Sequence, residues 1–205
     1  MGTWKIISVA NDYKQGEHIC SLYQTEDEQI AVAAEYLSDG LRQGERCMYV
    51  AQSYPALKRF RAALRDAGID ADEAVRQGAL LELTHADAHL AGGSFDCERM
   101  LSMLNDAVES ALNDGFKGLR TCGDMSWLLV ECQGSEQARE YEVLLNQFFR
   151  DTRAAGMCQY DRQRLRMQTI SDALATHPSA VLDRRHQPNP LYKPEDRRRG
   201  TAQTS

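Results

Sequence analysis

Short apolar runs that alternate with longer segments of helical spacing are the strongest constraint on the fold of this 205-residue chain. We interpret residues 19–23, 47–51, 80–84, 118–122 and 157–160 as strands. Strand and helix patterns in alternation predict βαβ units. Near-continuous apolar strands are typical of a parallel sheet that is covered on both faces. The expected fold is therefore α/β, a mostly parallel sheet with helices on both faces.

The segments between these runs have the spacing of amphipathic helices. Ile30, Ala34, Leu37 and Leu41 fall on one helical face, and apolar residues between 100 and 112 do the same. Further helices are predicted at 53–70, at 136–155 and after 170, and an edge strand is predicted at 180–182. We expect an N-terminal extension at 1–16, one domain at 17–183, and an extended or disordered tail at 184–205.

Composition and charge exclude several classes of protein. The chain is 42% hydrophobic and 26% charged, which is typical of a globular domain, and its formal net charge of −6 argues against nucleic-acid binding. No apolar run approaches the length of a membrane span, and the N-terminus lacks a signal-peptide pattern. The six cysteines are dispersed without a CxxC pair, so we expect reduced thiols in a cytoplasmic protein.

The connection after the first strand is where a phosphate-binding loop would lie, and its sequence is acidic. A P-loop needs glycines and a Lys, but residues 23–30 contain no Gly, Lys or Arg. Thr25 and Glu28 have the spacing of a capping box, and Glu26 and Asp27 add negative charge at the helix N-terminus. This pattern predicts a well-capped structural helix rather than a site for a nucleoside triphosphate.

Ligands of open parallel α/β sheets bind beyond the carboxyl ends of the strands. This rule selects Tyr23 after the first strand and the segment "GDMSW" after the fourth. Trp127 is a candidate wall of an apolar pocket, Met125 an adaptable neighbour, and Asp124 a group that orients a polar part of the ligand. The alternative is that Asp124 caps the next turn and Trp127 belongs to the core.

The end of the fifth strand supplies three more candidates. Tyr160, Asp161 and Arg162 are expected to close the pocket, with Arg162 pairing with Asp124 or with the neighbours of Asp161. Alternatively, Asp161 is the N-cap of the following helix.

Arg120 is an unusual residue for a buried apolar run, and we count it among the candidate ligand-binding residues. It is expected to pair with Glu140 or Glu142. A buried ion pair usually fixes geometry rather than performing chemistry.

Two pairs of residues have spacings that metal sites use. His18 and Cys20 share one side of a strand and are candidates for metal ligands or for a His-activated thiolate. The preferred interpretation is a buried thiol and a His at the strand end, because no third ligand is specified nearby. His85 and His89 would share a helical face, but a solvent-facing pair is preferred. We assign no metal and no cofactor to the chain.

The order of several segments resembles the MEDS domain, the sensory domain of the dichloromethane repressor and of many methanogen and methylotroph regulators. The similar pieces run in family order over about residues 17–195 and include "HICSLY", "EYLSDGLRQGERCMYVA", "GGSFDCERML", "GFKGLRTCGDMSWLL", "MCQYDRQRL" and "THPSAVL". His89 departs from the pattern, because an aromatic residue such as Tyr is expected before "GGSFD".

The MEDS family in turn is similar to the KaiC/RecA ATPase core. This resemblance implies a RecA-like fold whose P-loop is lost, with "YQTEDEQIA" in the place of the phosphate-binding loop and Asp124 near the place of a metal-holding acid. It also implies sensing of small molecules, including hydrocarbon derivatives.

Three functions follow as hypotheses. The first is a non-catalytic cytoplasmic signal-transduction module that binds a small molecule and passes the signal to a partner protein, such as a sensor kinase or an anti-sigma-type regulator of transcription. The second is a residual nucleotide-binding enzyme, or a metal- or thiol-dependent enzyme at Cys20. The third is a scaffold that forms homo-oligomers through its sheet edge. Neither nucleic acid nor a membrane is expected as a partner.

Overall fold

The architecture is a seven-stranded sheet flanked by helices, in a computed structural model that describes residues 12–130 and 132–194. The strands are β1 His18–Tyr23, β2 Arg46–Ala51, β3 Leu80–Thr84, β4 Leu119–Asp124, β5 Ala154–Asp161, β6 Ser179–Leu182 and β7 Arg185–Pro188. The α-helices are α1 Glu26–Gln43, α2 Tyr54–Asp66, α3 Ala71–Arg76, α4 Cys97–Asn113, α5 Ala138–Asp151 and α6 Met167–Thr176. No helix within the described ranges combines the length and the apolar character that crossing a membrane requires.

The sheet order is β3-β2-β4-β5-β1-β6-β7, and only the pairing of β6 with β7 is antiparallel. Alternate strand residues contribute to two separate apolar cores. One core contains residues of α1, α2 and α3, and the other contains residues of α4, α5 and α6. The predicted α/β fold with a mostly parallel sheet and helices on both faces is therefore confirmed.

All the predicted strands are present, with ends that differ by at most three residues from the predicted ones. The helix predicted at 136–155 is wrong at its C-terminal end, because α5 ends at Asp151 and β5 already begins at Ala154. Helix α3 was not predicted. It is a six-residue helix whose N-cap, Asp70, accepts a hydrogen bond from the Glu73 amide at 3.0 Å.

The region predicted as a tail from residue 184 begins with a strand. Asp183 and Arg184 form a two-residue turn with φ angles of 49° and 62°, and β7 pairs back onto β6. Positive φ at both central residues is the geometry of a type I′ hairpin turn. Residues 1–11 of the predicted N-terminal extension and 195–205 of the predicted tail lie outside the described residues.

The N-terminus of α1 is capped by its own sequence, as the acidic loop predicted. Thr25 Oγ1 accepts a hydrogen bond from the Glu28 amide at 3.2 Å. The Glu28 carboxylate accepts from the Gln24 amide at 2.8 Å, one residue before the N-cap amide that a standard capping box uses. Only residues 24 and 25 separate β1 from α1, so this connection is a tight cap.

Arg120 is fully buried on the face of the sheet that α1 covers. Its Nε donates to Glu45 Oε2 at 2.5 Å and its Nη1 donates to Asp39 Oδ2 at 2.8 Å, so the expected pairing with Glu140 or Glu142 is wrong. Gly40 makes room for this side chain, because a Cβ at position 40 would lie 2.7 Å from Arg120 Cδ. The guanidinium also lies 5.0 Å from the centre of the Tyr36 ring.

Glu45 and Asp39 offer a matched test of the buried ion pair. The Glu45 side chain is 4% exposed, whereas that of Asp39 is 36% exposed. Glu45→Gln should lower the free energy of unfolding by about 3 kcal/mol, because it removes the buried partner of Arg120 and leaves only the partly exposed Asp39 as its counter-charge. Asp39→Asn should cost less than about 1 kcal/mol, as exposed pairs do. Urea denaturation measures both, and equal losses would contradict this assignment.

Candidate functional site

Asp124 closes the turn that leaves β4. Its Oδ1 accepts from the Ser126 amide at 2.9 Å and its Oδ2 accepts from Ser126 Oγ at 3.0 Å. The Tyr23 hydroxyl donates to Asp124 Oδ1 over a longer distance of 3.4 Å, and His85 Nε2 lies 2.9 Å from the Asp124 carbonyl oxygen. Asp124 therefore caps the turn after β4, as the alternative interpretation of this residue predicted. Its carboxylate belongs to a polar network at the carboxyl edge of the sheet.

Trp127 lies in an aromatic stack beneath that edge. Its ring is 4.5 Å from the Phe95 ring and 5.4 Å from the His89 ring, both nearly parallel to it. Trp127, His85 and His89 are all buried, so the prediction that the two histidines face solvent is wrong. Burial, and then the nearby charge of His85, lower the pKa of His89 to about 3. His89 is therefore a neutral core residue at physiological pH.

A cavity of about 190 Å³ opens between α5, α6 and the turn after β4. Its base includes the buried side chains of Met125, Glu142, Tyr160, Ala173 and Thr176. The exposed Glu136 and Arg139 line its mouth. A larger adjoining groove, of about 590 Å³, shares part of this lining and is bounded by residues 128–130, 132, 133, 135, 136, 164, 166 and 169. Of the predicted ligand-binding residues, the structure therefore brings Met125 and Tyr160 to this cavity.

The other candidates after the fifth strand lie outside the cavity. Asp161 Oδ1 accepts from the amides of Gln163 and Arg164 at 2.9 and 3.1 Å, which caps a turn and not a helix, because α6 begins at Met167. Arg162 is exposed, and its amide donates to the Tyr23 carbonyl oxygen. Its expected pairing with Asp124 is not observed. Arg120 lies on the other face of the sheet.

A buried cluster of four polar side chains lies next to the cavity. Its members are His18, Glu142, Cys158 and His177. One ligand-type atom from each of the four buried side chains lies within 4.8 Å of the others. Glu142 Oε2 is 3.2 Å from Nε2 of both His18 and His177, and Cys158 Sγ is 3.6 Å from His18 Nε2. The thiol beside His18 is thus Cys158 and not the predicted Cys20, which lies opposite Cys158 on the neighbouring strand.

The protonation of this cluster follows from burial and charge. Burial, and then the neighbouring His177, lower the pKa of His18 to about 4, against the opposing effect of Glu142. Burial alone would raise the pKa of Glu142, but the two histidines outweigh it and hold that pKa below its ordinary value. Burial, and then the Glu142 charge, raise the pKa of the Cys158 thiol. At neutral pH the cluster therefore contains an ionised carboxylate, a neutral His18 and a protonated thiol.

Sequence reasoning missed Glu142, Cys158 and His177 as site residues. The sheet places β1 between β5 and β6, with Cys20 opposite Cys158 and Ile19 opposite Ser179. His18 at the start of β1 and His177 just before β6 therefore become neighbours. The one available signal was the position of His177 in the "THPSAVL" segment, directly before a predicted edge strand.

Comparisons with known proteins agree with this architecture. A family model described as MEDS, the methanogen/methylotroph, DcmR sensory domain, matches residues 17–178. Among solved structures, a KaiC-like protein from the hyperthermophilic archaeon Pyrococcus horikoshii OT3 is similar, with a TM-score of 0.56 and 14% sequence identity. The match covers 81% of this chain and 70% of that one, and at this identity it supports the fold alone. No curated protein sequence matches the chain at a significant level.

The Tyr160 hydroxyl provides a test of the buried Glu142. It donates to Glu142 Oε1 at 2.8 Å. Tyr160→Phe should lower the free energy of unfolding by about 1.5–3 kcal/mol, as hydrogen bonds to charged groups do. Tyr23→Phe is the matched control, because its hydroxyl bond to Asp124 is 3.4 Å long, and it should cost less. A larger loss in the Tyr23 variant in urea titrations would contradict this ranking.

His89 should make the fold sensitive to acid. Between its folded pKa of about 3 and the ordinary value of about 6.5, the unfolded chain binds a proton that the folded chain does not, so this contribution to stability falls as pH falls. Between pH 6 and pH 4, the free energy of unfolding should therefore fall less steeply for His89→Phe than for the wild type. The two slopes should differ by up to about 1.4 kcal/mol per pH unit.

Urea titrations at each pH measure this difference in slope. Tyr141→Phe is the control, since burial raises the pKa of Tyr141 and removes its titration even further from this range. Its slope should match that of the wild type. Parallel curves for His89→Phe and the wild type would show that His89 does not titrate as described.

Proposed function

The chain belongs to the MEDS family, and from this premise we propose that it is a non-catalytic sensory module that binds a small molecule in the cavity between α5 and α6. The observation that carries the proposal is the cavity itself. It lies at the carboxyl edge of the sheet, where ligands of open α/β sheets bind. It also combines apolar walls with a few polar groups at its base, as small-molecule sites do.

The size of the cavity favours a ligand of a few heavy atoms. A dry protein cavity of about 150 Å³ is large enough to hold benzene. The volume here, about 190 Å³, would therefore accept a small hydrocarbon derivative but not a nucleotide. Met125 and Leu128 supply apolar surface, and Met adapts well to irregular shapes. The Tyr160 hydroxyl and the Glu142 carboxylate supply the polar contacts at the base.

Helix α6 is the element through which binding would be passed on. Thr169, Ala173 and Thr176 of α6 line the cavity, and β6 and β7 follow this helix directly in the chain. A ligand can shift a conformational equilibrium only if it binds the two conformations unequally. A ligand that wedges against α6 would favour one position of this helix and of the β6–β7 hairpin at the sheet edge.

The output of the module would pass to another protein. We propose a cytoplasmic regulator as the partner, of the sensor-kinase or anti-sigma type, which would recognise the ligand-bound position of α6 and the hairpin. Control of transcription would then be indirect. Homo-oligomers could form through the same edge of the sheet, and light scattering with and without ligand would distinguish that arrangement from a monomeric sensor.

Occlusion of the cavity tests ligand binding. Thr169 is half-buried in the cavity wall, whereas Ser171 is exposed on the same helix and does not line it. Thr169→Phe should weaken binding at least tenfold by filling the space, and Ser171→Phe should leave it unchanged. Titration calorimetry with small alcohols, ketones, chlorinated methanes and benzene gives the affinities. Equal affinity in wild type and Thr169→Phe would place the ligand elsewhere.

Nucleotide binding tests the alternative of a residual ATPase. The tight cap formed by Thr25 and Glu28 occupies the helix N-terminus that a P-loop would leave open. Mg²⁺–ATP should therefore produce no rise in melting temperature and no phosphate release. A ligand present at a hundred times its Kd would stabilise the fold by about 2.7 kcal/mol, so binding would be easy to see.

A further inference from the structure

Three distances within the cluster of His18, Glu142, Cys158 and His177 are close to those between ligands of a single metal ion, and all four ligand-type atoms lie within 4.8 Å of one another. In a tetrahedral zinc site, bonds of about 2.0–2.3 Å place neighbouring ligand atoms about 3.3–3.8 Å apart. Glu142 Oε2 lies 3.2 Å from each Nε2, and Cys158 Sγ lies 3.6 Å from His18 Nε2. Three edges of a tetrahedron are therefore already present.

The proton position on His18 makes its contact with Glu142 unfavourable without a cation. The Asn146 amide nitrogen donates to the Thr176 carbonyl oxygen at 2.7 Å, so Asn146 Oδ1 must accept from His18 Nδ1 at 3.1 Å. His177 Nδ1 likewise donates to the Ala173 carbonyl oxygen at 2.7 Å. A neutral imidazole that carries its one proton on Nδ1 presents a lone pair at Nε2. In the neutral His18 this lone pair faces the acceptor Oε2 of Glu142 at 3.2 Å.

Two of the converging atoms have no hydrogen-bond partner among the residues that the structure describes. They are Glu142 Oε2 and His177 Nε2, both fully buried and directed into the cluster. Their mutual contact is close enough for an ion pair but is not aligned as a hydrogen bond. Buried polar atoms are nearly always satisfied, and such exceptions need an explanation. A cation in the centre would satisfy both atoms.

The surroundings of the cluster are those of a metal site. Metal-binding histidines usually donate their second ring N–H to a carbonyl or carboxylate oxygen, and ligating carboxylates are themselves hydrogen-bonded. His18 and His177 meet the first condition through Asn146 and Ala173. Glu142 meets the second, because its other oxygen accepts from the Tyr160 hydroxyl.

We propose that His18, Glu142, Cys158 and His177 bind one divalent transition metal ion of the zinc type in a closed tetrahedral site. Thiolate, imidazole and carboxylate ligands in this geometry suit Zn²⁺. The Glu142 carboxylate and the Cys158 thiolate formed on binding would balance the two positive charges, so the buried site would be neutral. The thiol proton would be released to solvent.

The ion would join β1, β5, α5 and the C-terminal end of α6. This inference goes beyond the proposed function. Metal binding and ligand binding in the cavity are measured separately, and either result can be obtained without the other. Glu142 is the one proposed ligand that also lines the cavity.

Metal titration of the full chain tests the site. Protein stripped by a chelator would be given Zn²⁺ or Co²⁺, desalted, and analysed for bound metal by mass spectrometry. We expect one ion per chain, a cobalt spectrum with a thiolate charge-transfer band, and a higher melting temperature. Cys158→Ser and His177→Gln should weaken binding at least hundredfold, and Asn146→Leu by about 10–100-fold through the lost support of His18.

Cys20→Ser is the matched control, because Cys20 is a buried thiol on the neighbouring strand, opposite Cys158. It should bind metal like the wild type and keep the thiolate band. Circular dichroism checks that each variant folds, and Glu142→Gln replaces Cys158→Ser if that variant does not. A wild type that binds no ion, or loss of binding in Cys20→Ser equal to that in Cys158→Ser, would overturn the proposal.

Discussion

Burial of the Glu142 carboxylate is the constraint on which the α5–α6 side of the molecule depends. A buried charge is costly unless polar partners surround it. Glu142, carried by α5, meets His18 from β1, Tyr160 from β5 and His177 at the end of α6. One charged group therefore fixes the relative positions of elements that are distant in sequence. The Glu142 carboxylate also forms part of the base of the cavity. The same contacts therefore hold the base of the proposed ligand site in place.

The features that sequence analysis predicted correctly are those governed by local physics. Strand β2 is buried along its whole length, and its residues 47–51 form a continuous apolar run that is visible without any structure. The cap of α1 involves residues three apart, so its spacing can be recognised directly. The carboxyl-edge rule needs only the strand ends, and it identified Met125 and Tyr160, which line the cavity.

The features that were missed depend on the order of strands or on unusual backbone geometry. His18 lies 128 residues from Asn146 and 140 from Cys158, and only the order β5-β1-β6 brings them together. Arg120 was assigned the wrong partners for the same reason. Strand β7 was missed because its turn uses Asp183 and Arg184 at positive φ, where hairpin turns usually carry Asn or Gly.

The cavity and the buried cluster share a wall, and this arrangement limits how a signal could travel. Ala173 and Thr176 line the cavity, and the Ala173 carbonyl oxygen accepts from the ring of His177. Any displacement of α6 by a ligand must therefore either carry His177 along or break that hydrogen bond. If the cluster holds His177 firmly, the C-terminal end of α6 is the fixed point and its N-terminal end moves. Movement would then appear first at the mouth of the cavity, beside the exposed Met167 and the groove that continues from it.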